Sequence, residues 1–209
     1  MAESDADADA VGRAKRRMLA NGKELIAILP SRPICLVKRS GIYLMRCGHG
    51  DDERFARSFR KTWRRLGKDL RRSLTDYWRD PDIVYMGLQL VFPTIEVLDD
   101  WSGRNEGEAG VCKLNGHLFR FLAPLVDAMP DDILATLIAH ELAHAYRAAV
   151  GILVLDPDNP LTAEENGRDE LETRQLVHGT WGFDEDALGS WLLWDGDDIM
   201  AYHEEQISG

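Results

Sequence analysis

One run of residues, Ile138-Ala-His140-Glu141-Leu-Ala-His144-Ala-Tyr146-Arg147, constrains this chain more than any other. It sets two histidines four residues apart in a segment that is otherwise apolar at Ile133, Leu134, Leu137 and Ile138. Positions i and i+4 of an α-helix lie one turn apart on one face, so the two imidazoles can converge on a single cation. Glu141 is turned about 100° from His140, near enough to reach a water at that cation and not placed as a direct ligand. Two imidazoles and a carboxylate would be costly to bury in such a helix without that partner. The helix is expected to begin after Pro130, with Asp131 and Asp132 at the positive end of its dipole, and to run to about residue 150, where Gly151 stops it.

A zinc-type centre needs a third protein ligand. No histidine lies between His144 and His178, which excludes a third histidine close downstream. The remaining design is two histidines and one glutamate from the next helix, with one position left for water. Residues 164–181 offer Glu164, Glu165, Glu170 and Glu172. Here the sequence resembles the gluzincin-type zinc metallopeptidases, over about residues 111–184. In that clan the third ligand is the first glutamate of an ExxxD or ExxA[DN] pattern. The resemblance gives this role to Glu170, in Glu170-Leu-Glu-Thr173-Arg174, although Arg174 stands where the pattern has a carboxylate that orients a metal-bound histidine. A rival register, Glu165-Asn-Gly-Arg-Asp169, keeps the ExxxD form. However, Thr162-Ala-Glu-Glu165 reads as a capping box that occupies Glu165, and Gly167 weakens a helix there. Glu172 stands as a further alternative. The resemblance implies Zn2+ as cofactor, a zincin-like fold, and peptide-bond hydrolysis with Glu141 as general base on a zinc-bound water.

Along the chain, residues 1–10 alternate acids and alanines and read as a disordered acidic tail. Residues 11–194 read as a single domain and 195–209 as an acidic C-terminal tail. A helix is expected over 11–28, and a hairpin of strands 34–37 and 42–46 around Ser40-Gly41. Phe55, Phe59, Trp63, Leu66, Leu70, Leu74 and Trp78 recur every three or four residues, which predicts one long helix over 53–78. Residues 83–92 and 94–98 read as strands. Strands 111–114 and 117–122 are joined by Asn115-Gly116, a type I′ hairpin signal. A third helix should start at Thr162 or Asn166, and a short last one should cover 185–194. The expected fold class is α+β: a small antiparallel sheet packed on the HExxH helix, with the 53–78 helix behind it. Strand 117–122 is the expected sheet edge beside the cleft, where an extended peptide could add.

Composition narrows the partners. Of 209 residues, 44% are hydrophobic and 29% charged, enough for a buried core. The longest apolar stretch, 83–92, is about half the ~20 residues a membrane span needs, and the first residues are acidic where a secretory leader would be basic and then apolar. Cys35, Cys47 and Cys112 lack paired metal-site spacing. A cytoplasmic chain with no membrane partner is therefore expected. The formal net charge is −11, and residues 151–209 hold fifteen acids against Arg168 and Arg174 alone, which gives no general attraction for nucleic acid. Cations gather instead at Arg57, Arg60, Lys61, Arg64, Arg65, Lys68, Arg71 and Arg72. That row reads as a solvated face paired with the acidic C-terminal third, or as a face for a phosphate or an acidic partner.

The expected partner of the centre is a peptide or protein substrate. An oxyanion must be steadied by His178, Tyr146, Arg174, Tyr202 or His203, among which the sequence does not choose. His49 reads as a loop residue. Asp197, Asp198, Glu204 and Glu205 could supply a fourth oxygen ligand and hold the chain latent, against the plainer reading of a solvated tail. Two other functions fit the same residues. One is a regulatory protease of the ImmA/IrrE kind acting on one protein substrate, which also looks like HExxH followed by a Glu-bearing helix. The other is a non-catalytic, metal-stabilised binding module that works through the basic helix 53–78.

Overall fold

Five short strands form one mixed sheet in the computed structural model, which describes residues 34–38, 41–46, 52–79, 93–101, 104, 108–114, 116–151 and 162–201. The expected N-terminal tail and helix (1–28), the strand 83–92, Cys47, His49 and the proline loop 155–160 lie outside the described residues. Strands β1 (Ile34–Val37) and β2 (Ile42–Arg46) form the expected antiparallel hairpin. The sheet is not antiparallel throughout, however. β2 and β3 (Thr94–Leu98) run parallel, as do β3 and β5 (Leu118–Leu122), and only β4 (Gly110–Lys113) returns antiparallel to β5. The cause is the pair of helices between β2 and β3, since a long helical crossover brings the chain back in its original direction. After β3 the chain skips one position, which β5 then fills. The strand order is β1-β2-β3-β5-β4, so the outer strand is β4 and not the expected 117–122 segment.

The predicted helix 53–78 is two helices, α1 (Asp52–Arg65) and α2 (Lys68–Tyr77). The chain turns at Gly67, whose ψ of 152° is extended. The apolar period continues across the break because both helices face one core, where Phe55, Phe59, Trp63, Leu66, Leu74 and Trp78 are all buried. Their rings interlock with those of β5: Phe55 meets Phe121 at 5.1 Å between centroids, Trp63 stacks on Trp78 at 5.9 Å, and Trp78 meets Phe119 edge-on at 6.3 Å.

Among the described residues, Arg54, Arg60 and Arg65 of α1 meet backbone carbonyls and Asp131 in place of carboxylates of the C-terminal third. The Arg54 guanidinium donates to the carbonyls of Val126, Asp127 and Met129 at the end of α3 (Ala123–Ala128), and pairs with Asp131 at 3.2 Å. A cation over the final carbonyls of a helix meets the negative end of its dipole. Arg60 donates to the Cys35 carbonyl, and Arg65 donates to the Gly182 carbonyl while lying 4.0 Å over the Phe183 ring.

These contacts seat the central helix, α4 (Asp131–Ala149), which carries the HExxH run. Twelve of its 19 residues are buried, and it ends as expected at Gly151, whose φ is +73°. No helix among the described residues is long and apolar enough to cross a membrane.

The β4–β5 connection is a four-residue loop, 114–117, and not a two-residue turn; Leu114 (φ 53°) and Gly116 (φ 82°) take the left-handed region. The tertiary contact decides this conformation. Trp78 Nε1 donates to the Gly116 carbonyl at 2.7 Å, and a Cβ on Gly116 would come within 2.7 Å of the Ala145 Cβ on α4. Gly116→Ala should therefore cost about 2 kcal/mol or more through backbone strain and overpacking. In a chain of this size that lowers the melting temperature by at least about 4 °C, as followed by circular dichroism. An unchanged melting temperature would show that the loop does not lie on α4.

Candidate metal centre

Helix α5 (Ala163–Gln175) lies along α4. Thr162 caps it: its hydroxyl accepts from the Glu165 N–H at 3.3 Å, and the Glu165 carboxylate accepts from the Thr162 N–H at 2.9 Å. Asp169, Glu170 and Thr173 then fall on the turn facing α4. Past Gly182 (φ +70°), Asp184 caps α6 (Glu185–Trp191) by accepting from the Ala187 N–H at 2.9 Å, and this aims Glu185 back at α4.

Three side chains converge. His140 Nε2 lies 3.2 Å from His144 Nε2 and 3.2 Å from Glu170 Oε2, while His144 Nε2 is 3.4 Å from Glu170 Oε1. All three donor groups fall within 4.8 Å of one another. Each imidazole is held from behind by a buried carboxylate. Glu185 sits 3.1 Å from His140 Nδ1, and Asp169 sits 2.9 Å from His144 Nδ1. Asp169 is fixed in turn by the Arg147 guanidinium at 2.8 Å, which also donates to Glu172 at 2.6 Å.

The donor set fits a divalent cation. A proton on each Nδ1, shared with its carboxylate, leaves a lone pair on each Nε2. Two lone pairs 3.2 Å apart beside a carboxylate repel unless a proton or a cation stands between them. Two imidazole nitrogens, one carboxylate and a carboxylate behind each ring are the ligand types and outer contacts of a zinc site. With no cation, a proton takes that place. Burial works against charge on His140, but its hydrogen bonds to Glu170 and Glu185 and the nearby Glu141 outweigh it and raise the imidazole to about 10. Burial likewise works against ionisation of Asp169, and the imidazole of His144 with the Arg147 guanidinium overcomes it, holding the carboxyl below its ordinary range.

Glu141 is buried and ligates nothing in this arrangement. Burial pushes its carboxyl up to about 7; the two imidazoles oppose the rise, and Glu170 and Glu108 add to it. It faces a cleft of about 320 Å³ bounded by α4, α5, α6 and the outer strand β4. That strand lies very close: a Cβ on Gly110 would stand 2.8 Å from Glu141 Oε1.

The structure brings His140, His144, Glu170 and Glu141 to one point. It leaves the rival glutamates elsewhere, with Glu165 taken up in the cap and Glu172 on Arg147. Of the residues considered for an oxyanion, Arg174 lines the cleft, Tyr146 packs against Trp181 at 6.0 Å, and His178 is exposed. Tyr202 and His203 lie outside the described residues. Asp197 and Asp198 are exposed in a helical segment that continues to Ala201, and they do not line the cleft; Glu204 and Glu205 lie outside the described residues. Sequence reasoning named Asp169 only as the closing carboxylate of the rival register, and it missed Glu185 and the support role of Arg147. Arg147 carried a usable signal, because an arginine three residues after His144 in an apolar helix needs an acid partner from the next helix.

Comparison with protein-family models, with curated proteins and with solved structures found no match to this chain.

Three substitutions separate the ligand from its support. Glu170→Ala should lose stoichiometric metal on purification, by elemental analysis, whereas Glu172→Ala should keep it. Glu185→Gln should retain the site with metal affinity weakened about 10–100-fold, the usual cost of an outer-contact loss, as read by chelator competition. Equal metal retention in Glu170→Ala and Glu172→Ala would remove Glu170 from the ligand set.

Proposed function

We propose that this chain is a zinc-dependent metallopeptidase of gluzincin type with a zincin-like fold. The observation that carries this reading is the meeting of His140, His144 and Glu170 within 4.8 Å, beside a buried glutamate that binds none of them as a ligand would. A zinc ion held by these residues supplies Lewis acidity, which acidifies water and polarises an amide carbonyl at the same point.

The chain's own groups supply the rest. Glu141 has a carboxyl near neutrality, so it can accept a proton from the attacking water and return it to the leaving nitrogen. Glu185 and Asp169 fix the tautomer and direction of the imidazoles, so that neither ring has to reorient. The outer strand β4 borders the cleft, and its side left unpaired among the described residues offers backbone N–H and C=O groups to an extended peptide. Gly110 keeps the near end of that strand open over Glu141. Arg174 is the cation among the described cleft residues that can meet a developing oxyanion or a substrate carbonyl.

The decisive variant is Glu141→Gln. It should keep metal at wild-type stoichiometry and lower the turnover of an unstructured protein substrate such as casein by about 10²–10⁴-fold, the range for a lost general base. A Glu141→Gln protein with full metal and undiminished peptidase activity would end the assignment. Gly110→Ala should act in the same direction without touching the ligands, because its methyl group displaces the Glu141 carboxylate.

A further inference from the structure

The cations of α1 and α2 play no part in the metal centre. Five of them line a second hollow of about 780 Å³, formed by β1, α1 and α2. Seven cations face it, among them Arg60, Arg64, Lys68, Arg71 and Arg72, against the single carboxylate of Asp76. Arg64 and Lys68 are exposed and have no hydrogen-bond or ion-pair partner among the described residues. Arg72 has a loose pairing with Asp69 at 3.9 Å, and the buried Nε of Arg71 has no partner. So dense a row of like charge repels itself; solvent screens part of this, and an anionic ligand would relieve the rest.

We propose that this hollow is a docking groove for an extended acidic segment of a partner protein. The spacing supports a peptide. Lys68 and Arg72 stand one helical turn, about 6 Å, apart, and Arg64 closes α1 just before the break at Gly67. In an extended chain, side chains on one side recur every second residue, about 6.7 Å apart. Alternate Asp or Glu residues therefore match the cation row. Nucleic acid fits less well. Trp63, the aromatic ring of the hollow, is only 5% exposed, so no ring face is offered for base stacking. The net charge of −11 also repels a long polyanion whose ends leave the groove. β1 and β4 are opposite outer strands of the described sheet, four interstrand steps or about 19 Å apart. The groove shares no lining residue with the metal centre and stands independently of the peptidase reading.

The test is fluorescence anisotropy of a labelled ten-residue Ser-Glu repeat with the full-length chain. Arg64→Glu with Lys68→Glu should weaken binding by about tenfold or more. Lys61→Glu with Arg168→Glu, an equal change in net charge outside the groove, should change it by less than about twofold. Circular dichroism should be unaltered in both, since all four residues are exposed. Equal losses in the two variants, or no binding to the wild type, would overturn the groove. Tighter binding of an oligothymidylate of equal charge would replace the peptide by nucleic acid. If binding emerges only after Glu3→Gln, Asp5→Asn, Asp7→Asn and Asp9→Asn are introduced together, the chain's own alternating acids are the occupant and the partner assignment fails.

Discussion

Helix α5 is attached to the rest of the molecule by charge. Its only buried residues are Asp169 and Thr173, and its one large apolar side chain, Leu171, is more than half exposed. The usual attachment of a helix, an apolar stripe on a core, is missing. What holds α5 in place is the chain Glu172–Arg147–Asp169–His144, with Glu170 reaching both imidazoles. Removing one member of the buried Arg147–Asp169 pair costs roughly 3–5 kcal/mol, because the other charge is left uncompensated, whereas Glu172 is half exposed and its loss leaves that pair in place. Glu170 therefore arrives on an element positioned mainly by polar contacts with α4. A cation held by His140, His144 and Glu170 would be coupled to the docking of α5, because its ligands would come from both helices.

The sheet's part is to bring backbone close to the same helix. The outer strand β4 is bracketed by two glycines, and a Cβ on either would meet α4: Gly110 against Glu141, and Gly116 against Ala145. Residues 141 and 145 are one turn apart, so the strand and its loop follow the ligand helix at a distance that side chains would forbid. Mixed pairing is what makes this geometry available. With β5 inserted parallel beside β3, the last position of the sheet falls to β4, whose short antiparallel return from β5 can be pinned at its loop by Trp78. The aromatic core of α1, α2 and β5 thus sets the height of the strand above Glu141.

The parts legible in the sequence were those written as local periodicity. The HExxH spacing, the cap at Thr162 and the stop at Gly151 depend on a few neighbouring residues, and the structure reproduces each. The choice of Glu170 needed both a resemblance and the observation that Glu165 would serve the cap. Direction and order of strands were not legible, because a run such as Thr94–Leu98 carries the same pattern in a parallel or an antiparallel pair. The break at Gly67 was hidden because the apolar period runs on across it. Glu185 was hidden for another reason: 45 residues separate it from His140, and only the turn at Gly182 and the cap at Asp184 bring it back.

Charge on this chain is divided rather than averaged. Of the acids of residues 151–209, Asp169, Glu170 and Glu185 line the cleft, where Arg147 and the imidazoles meet them. Five basic residues of α1 and α2 line the hollow beside β1, the outer strand opposite β4, while Arg65 reaches the Gly182 carbonyl just before α6. Had the cations lain beside the centre, they would have neutralised the carboxylates that attract and hold a metal. Had they been absent, the net charge would have been more negative still, with no region of opposite sign to orient an approaching partner. The row of cations and the cluster of carboxylates thus stand beside different outer strands of one small sheet, and their linings share no residue.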